Sequence, residues 1–277
     1  MNFVLNITKN RKNRKRRNSS HAAINYKGKI LNEKTPFAVA EAFKTLRTNL
    51  LYMVNNQKCP VFGVVSSYQN TGKSLISANL AVAFSMMNKR VLLVDGDMRK
   101  PVQSRCFGIK HTFGLSELLS GQCSVDEAIT TAEAYPNLSI ILSGNIPPNP
   151  QELLAYETTK GVFDELKSRF DVIVVDLPPV GVVSDAITLS TIVTGFIFVV
   201  RSGESDGPSV IETVNNMSQM NCVILGTVLN GYDLKTDNYY RDRKHGKYSY
   251  YHRYNGETGY NEAEENNEEN TEDKTGK

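Results

Sequence analysis

Between the apolar run Val61–Val65 and a segment of helical pattern lies Ser66-Ser67-Tyr68-Gln69-Asn70-Thr71-Gly72-Lys73-Ser74. A strand–loop–helix turn of this kind points backbone N–H groups inward and ends on a helix N-terminus, whose partial positive charge favours an anion. The chemistry implied is phosphate binding. Lys73 would reach the terminal phosphates and the Ser74 hydroxyl would hold Mg²⁺, with Ser67, Asn70, Thr71 and Gly72 completing the cradle. The usual pattern is GxxxxGK[ST]; here Ser67 takes the first glycine's place and Asn70 stands where a further glycine is common. Asn tolerates the left-handed backbone region better than most residues, so the loop is still expected to form.

Two acidic strand ends accompany the loop. Val91-Leu92-Leu93-Val94 runs into Asp95-Gly96-Asp97-Met98-Arg99-Lys100-Pro101, and Val172–Val175 into Asp176-Leu177-Pro178-Pro179. Carboxylates at the ends of buried parallel strands reach the same sheet edge as the phosphate loop, where they can hold Mg²⁺ directly or through water. An aspartate beside a terminal phosphate can also take the proton of an attacking hydroxyl. Asn230-Gly231, at the end of the last apolar run, is either a contact to a nucleotide base or a plain turn dipeptide.

Tyrosine is the third chemical signal. Of 13 tyrosines, eight fall between Tyr232 and Tyr260, among charged and small residues with almost no aliphatic neighbours. Such a segment has no core to bury its rings in. It reads as an interface segment, as aromatic stacking for single-stranded nucleic acid, or as a set of phosphoacceptors.

The elements that must carry these residues alternate. Thr35-Pro36 is a cap-plus-first-turn signal, and apolar residues at Phe43, Leu46, Leu50 and Met53 predict a helix over 36–54. Continuous apolar runs predict buried strands at Val61–Val65, Val91–Val94, Leu138–Leu142, Val172–Val175, Phe196–Val200 and Val223–Leu229. Helical patterns over roughly 73–88, 151–169, 184–193 and 207–219 separate most of them. Strands that are apolar throughout, rather than alternately, imply a sheet covered on both faces. The expected fold is α/β: a doubly wound, mainly parallel sheet.

Composition sets the outer limits. The chain has 277 residues, 40% apolar and 22% charged, enough for a real core. No apolar stretch approaches the ~18–20 residues of a membrane span, and MNFVLNITKN followed by a basic run makes a poor secretory signal. Cys59, Cys106, Cys123 and Cys222 are far apart, which argues against both a disulfide framework and a zinc site; a reduced, cytoplasmic setting is expected. The net charge of +3 hides an asymmetry: seven Lys/Arg lie within Lys9–Arg17, and eight acids without a base within Glu257–Asp273. Both ends are expected to be disordered tails. The basic run is a solvated arm or a contact for anionic lipid, with nucleic acid ranked lower because no reading motif accompanies it.

Together SSYQNTGKS at 66–74, VLLVDGDMRKP at 91–101, VIVVDLPP at 172–179, the stretch SGNIPPNP at 143–150 and the tyrosine cluster resemble the bacterial tyrosine kinases of capsule and exopolysaccharide systems, specifically their separate cytoplasmic kinase polypeptides. The resemblance implies a P-loop sheet of deviant Walker type. It implies an ATP- and Mg²⁺-dependent kinase that autophosphorylates its tail in trans, with Tyr239, Tyr240, Tyr248, Tyr250, Tyr251 and Tyr254 as acceptors. It assigns Lys73 and Ser74 to phosphate and Mg²⁺, and Asp95, Asp97 and Asp176 to the metal and the attacking hydroxyl, with Asp95 as the activating base. It further implies a membrane-embedded activator of the polysaccharide co-polymerase type, a cognate tyrosine phosphatase, a homo-oligomeric ring, and a peripheral place at the inner membrane face reached through the activator. The family's E-x-x-R-x-x-R contact helix corresponds to Glu41-Ala42-Phe43-Lys44-Thr45-Leu46-Arg47, where Lys44 replaces an arginine and lacks its bidentate geometry. The division expected is a basic arm over 1–34, a kinase domain over 35–231 and a tail over 232–277. The competing function is a ParA- or MinD-like ATPase switch without kinase activity; its signature lysine is absent, Tyr68 standing in the corresponding place.

Overall fold

The computed structural model describes residues 2–3, 26–110, 112–155, 157–181 and 185–232. Eight strands form one sheet: β1 (Asn2–Phe3), β2 (Val61–Val65), β3 (Val91–Asp95), β4 (Ile129–Thr131), β5 (Leu138–Ile141), β6 (Val172–Asp176), β7 (Gly195–Arg201) and β8 (Ile224–Asn230). Their order across the sheet is β1-β8-β7-β2-β6-β3-β5-β4. All neighbours are parallel except the β4–β5 pair at one edge. Nine α-helices connect them in the described residues: α1 (Phe37–Met53), α2 (Lys73–Ser85), α3 (Gln103–Phe107), α4 (Leu115–Leu119), α5 (Val125–Ala128), α6 (Pro150–Ala155), α7 (Glu157–Arg169), α8 (Asp185–Thr188) and α9 (Gly207–Gln219).

The period of two along each inner strand divides the core into two layers. Phe62, Val64, Leu93, Val174 and Ile197 face one side, where they meet Phe43 and Leu46 of α1 and Ile76 and Phe84 of α2. Val61, Val65, Leu92, Ile173 and Phe198 face the other, against Phe163 and Leu166 of α7 and Met217 of α9. Both faces are therefore covered, as the unbroken apolar runs require. Phe62 and Phe84 stack with ring centroids 5.6 Å apart, a contact worth about 0.5–1.5 kcal/mol beyond the area it buries. Among the described residues no helix is long and apolar enough to cross a membrane.

Several expectations shift. The expected helix over 151–169 is helical at Pro150–Ala155 and Glu157–Arg169, either side of a residue outside the described ones, and that over 184–193 is helical at Asp185–Thr188 and passes into a 3-10 turn at Leu189–Thr191. Thr35 does not cap α1: Pro36 holds the cap position, and the Thr35 hydroxyl accepts the Asn32 N–H at 2.9 Å. α2 stops at Ser85 rather than 88, three residues before Asn88 turns left-handed at φ 55. The arm expected over 1–34 ends sooner, because Ile30 and Leu31 are apolar and join the core. There the Leu31 N–H donates to Asn79 Oδ1 at 2.7 Å. The expected disorder of the remaining arm and of the tail lies on residues outside the described ones, apart from the two-residue β1, residues 26–29 with a 3-10 turn at Lys27–Lys29, and Tyr232.

Candidate functional site

β2, β3 and β6 are adjacent, so the loops leaving their carboxyl ends share one edge of the sheet. The register sets Asp95 directly opposite Asp176. Between β2 and α2 the chain passes through two left-handed residues, Asn70 at φ 63 and Gly72 at φ 93. The glycine is required twice over, since a Cβ on it would also meet Asn230 Nδ2 at 2.1 Å. Asn230 supports the loop from beneath: its Nδ2 donates to the Thr71 carbonyl at 2.7 Å. The Nδ2 of a residue readable from sequence either as a base contact or as part of a turn is thus engaged with the loop itself. α2 begins at Lys73; the N–H groups of Lys73 and Ser74 precede the first bonds of the helix, in which those of Leu75 and Ile76 donate to the Gly72 carbonyl at 3.1 and 3.0 Å.

Lys73 is the hub. Its Nζ donates to Asp97 Oδ2 at 2.8 Å, to Ser74 Oγ at 3.3 Å and to Asp176 Oδ1 at 3.4 Å. Burial works against its charge, but the carboxylates of Asp176, Asp97 and Asp95 outweigh that and hold the ammonium above its ordinary value. Asp97 also caps its own turn by accepting the Lys100 N–H at 3.0 Å. Asp176 accepts from the Ser77 hydroxyl at 3.2 Å. Asp95 is fully buried; its Oδ2 accepts the N–H groups of Val102 and Gln103 at 3.1 and 3.0 Å. Burial first, then the charge of Asp176, push its carboxyl up to about 7.

Three buried carboxylates face one ammonium, which leaves negative charge that a divalent cation would neutralise. Buried polar atoms without a hydrogen-bond partner among the described residues point the same way: Ser67 Oγ, Thr71 Oγ1, Asp95 Oδ1 and Gln103 Oε1. The structure therefore brings Ser67, Asn70, Thr71, Gly72, Lys73, Ser74, Asp95, Asp97, Asp176 and Asn230 to one edge. Tyr239, Tyr240, Tyr248, Tyr250, Tyr251 and Tyr254 lie outside the described residues. On α1, Lys44 pairs with Glu41 of the same helix at 2.6 Å, and Arg47 Nη1 turns inward to the Ala83 carbonyl at 2.6 Å.

Three residues here have no counterpart in the sequence reading. Gln103 Nε2 donates to Asp176 Oδ2 at 2.9 Å and to the Ser74 carbonyl at 3.0 Å. Arg201, at the end of β7, pairs with Glu204 at 2.9 Å and approaches the Asn70 carbonyl at 3.5 Å. Glu117 closes the neighbouring loops. Its Oε2 accepts the Gly114 N–H at 2.9 Å and the Ser116 hydroxyl at 3.0 Å; its Oε1 accepts the Asn145 N–H and side-chain amide at 3.1 and 2.8 Å. Burial opposes its charge, yet these donors outweigh it and hold the carboxyl below its ordinary value. The only sequence signals were indirect, a Gln two residues after Pro101 and a Glu three after Gly114.

Comparison with known proteins agrees with this geometry. A family model described as an AAA domain matches residues 64–201. The tyrosine-protein kinase YwqD of Bacillus subtilis is 32% identical over 212 residues, 76% of this chain and 86% of its own length. The crystal structure of the chimerical protein CapA2B2 is similar at TM-score 0.67 and 32% identity, covering 72% of this chain and 86% of that one. The septum site-determining protein MinD of Pyrococcus horikoshii, solved with Mg-ADP, is similar at TM-score 0.53 and 25% identity, covering 62% and 70%. On the strength of the kinase relatives, whose lengths it nearly spans, the chain belongs to the family of bacterial tyrosine-protein kinases.

Proposed function

We propose that this chain is an ATP- and Mg²⁺-dependent protein-tyrosine kinase that phosphorylates the tyrosines of its own tail in trans. The observation that carries the reading is the meeting of Lys73 and Ser74, at the start of α2, with the buried carboxylates of Asp95, Asp97 and Asp176. Lys73 and the N–H groups of the 66–74 loop bind the nucleotide phosphates; Ser74, Asp97 and Asp176 hold the metal, which when bound neutralises charge on the phosphate oxygens. Asp95 takes the phenolic proton as the tyrosine oxygen bonds to the terminal phosphorus and the bond to the bridging oxygen of ADP breaks. A carboxyl near 7 with one unpartnered oxygen suits a base working at neutral pH. Its complete burial requires the turn after β3 to move before a phenol reaches it.

The acceptors proposed are Tyr239, Tyr240, Tyr248, Tyr250, Tyr251 and Tyr254. Each phosphate adds about 1.5–2 negative charges, enough in number to invert the charge of the Arg241–Lys247 region and loosen contacts made through it. Phosphorylation state would then govern assembly of the homo-oligomer and, through it, capsule or exopolysaccharide synthesis. A membrane-embedded co-polymerase-type partner is proposed as activator and membrane tether, with the basic arm adding a contact to anionic lipid, and a tyrosine phosphatase as the reverse arm. The fold likeness to MinD supports one second reading, a nucleotide-gated switch.

The test is phosphosite mapping by mass spectrometry on protein from its native host, wild type beside Lys73→Met. Phosphotyrosine between Tyr232 and Tyr260 that disappears in the variant is the expected result. Its persistence in both makes the chain another kinase's substrate, and its absence from both favours the switch.

A further inference from the structure

Gln103 bonds to three residues of the proposed site, Asp95, Asp176 and Ser74. Its backbone N–H donates to Asp95 Oδ2 at 3.0 Å, and its side-chain amide donates to Asp176 Oδ2 at 2.9 Å and to the carbonyl of Ser74 at 3.0 Å. No other residue in the described structure bonds to the acid ending β3, the acid ending β6 and the residue whose hydroxyl opens α2. The orientation of the carboxamide is fixed by its surroundings. Two acceptors, a carboxylate oxygen and a carbonyl, face Nε2; a flipped amide would set its own oxygen against both. That leaves Oε1 as the odd atom. The side chain is completely buried, and Oε1 has no hydrogen-bond partner among the described residues. A buried acceptor left without a donor is unfavourable, and a donor arriving there would relieve that cost.

The donor that suits this place is a water held by a cation. Asp95 Oδ1, a second buried acceptor, is likewise unpartnered. Mg²⁺ keeps several of its waters when it binds at carboxylates and phosphates, and each water turns its protons outward toward acceptors. We infer that Gln103 is an outer-sphere positioning residue for Mg²⁺: Oε1 accepts from a metal-bound water, while Nε2 fixes the direction in which Asp176 and Ser74 present their oxygens. The inference rests on the nucleotide-binding reading given above. It adds to it a residue that acts through its neighbours rather than on the phosphate.

The test measures the coupling between metal and nucleotide, not turnover. Fluorescence titration gives the affinity of the full-length chain for N-methylanthraniloyl-ADP with Mg²⁺ and with EDTA; the ratio of the two affinities is the readout. Gln103→Met keeps the side-chain volume and removes both donor and acceptor. Gln103→Asn keeps the carboxamide but withdraws it by one methylene, and serves should the first variant fold poorly. Both are expected to reduce the ratio by about 10- to 100-fold, the usual loss on removing a residue that orients metal ligands, with the metal-free affinity unchanged. A residue that merely held the loop together would instead weaken the metal-free affinity and leave the ratio alone. A wild-type ratio in a folded variant overturns the role given to Gln103 only. Wild-type protein showing no Mg²⁺-dependent gain in affinity overturns the nucleotide site itself.

Discussion

Replacing Glu117 by glutamine tests the clamp between the 112–117 and 142–150 segments. The wild-type carboxylate offers two oxygens to four donors, two of them backbone N–H groups at Gly114 and Asn145. Glutamine must present its NH₂ to one pair, whichever way it turns. The Asn145 side chain is exposed and the Ser116 hydroxyl can rotate, so one backbone N–H is left stranded in either case. Stranding it costs about 1–3 kcal/mol, and the two surviving bonds each lose about 1 kcal/mol of charge assistance. Relief from burying a charge offsets part of this. A net loss of about 3 kcal/mol is expected. The assay is urea unfolding monitored by circular dichroism, with a lower midpoint at unchanged slope; in a thermal melt the same loss lowers Tm by about 6–12 °C. A loss below about 1 kcal/mol refutes the account. The pH dependence gives a second arm. The folded Glu117 carboxyl lies below its ordinary value of 4.5, so its contribution is complete above that value and disappears as pH falls through the lower, folded one. The gap between wild type and Glu117→Gln is therefore expected to close in acid and to stay open at neutral pH.

Gly114→Ala strikes the same junction sterically: the new Cβ would lie 2.2 Å from the Gly144 nitrogen and 2.5 Å from the Leu142 carbonyl, both backbone atoms that have little room to yield. A stability loss of about 3 kcal/mol is expected, and a melt identical to wild type would show that the loops are free to part. Asn70 tests the loop between β2 and α2. Its φ of 63 is expected to make Asn70→Ala about 1 kcal/mol less stable than Asn70→Gly; equal stabilities in denaturant would remove the backbone argument.

The strands that line the site were legible because each is short, unbroken and apolar, and the only adjustment at β3 and β6 is one residue. Asp95 and Asp176 stay in the ladder because their backbones still pair, although their side chains are polar. β4 was not legible: three residues, Ile129-Thr130-Thr131, make no period, and its place is set by pairing with β5. The short helices α3, α4 and α5 fall below the length at which periodicity carries a signal. The 66–74 loop and the acids ending β3 and β6 were readable as local motifs. Gln103 and Glu117 were not, since their partners stand as far off as Asp176 and Asn145, and their roles exist only once the sheet has brought those partners near.

The order of the strands also decides when this edge can exist at all. β2 lies between β6 and β7, with Val61 set opposite Ile173 and Phe62 opposite Gly195, partners more than a hundred residues further along the chain. Pairings so distant demand a large loop closure before they return any energy, and folds built on them are slow. During synthesis the 66–74 loop therefore leaves the ribosome without flanking strands, and waits until residue 201 has followed it. A nascent chain stalled before that point would carry the whole phosphate motif and yet hold no assembled cradle.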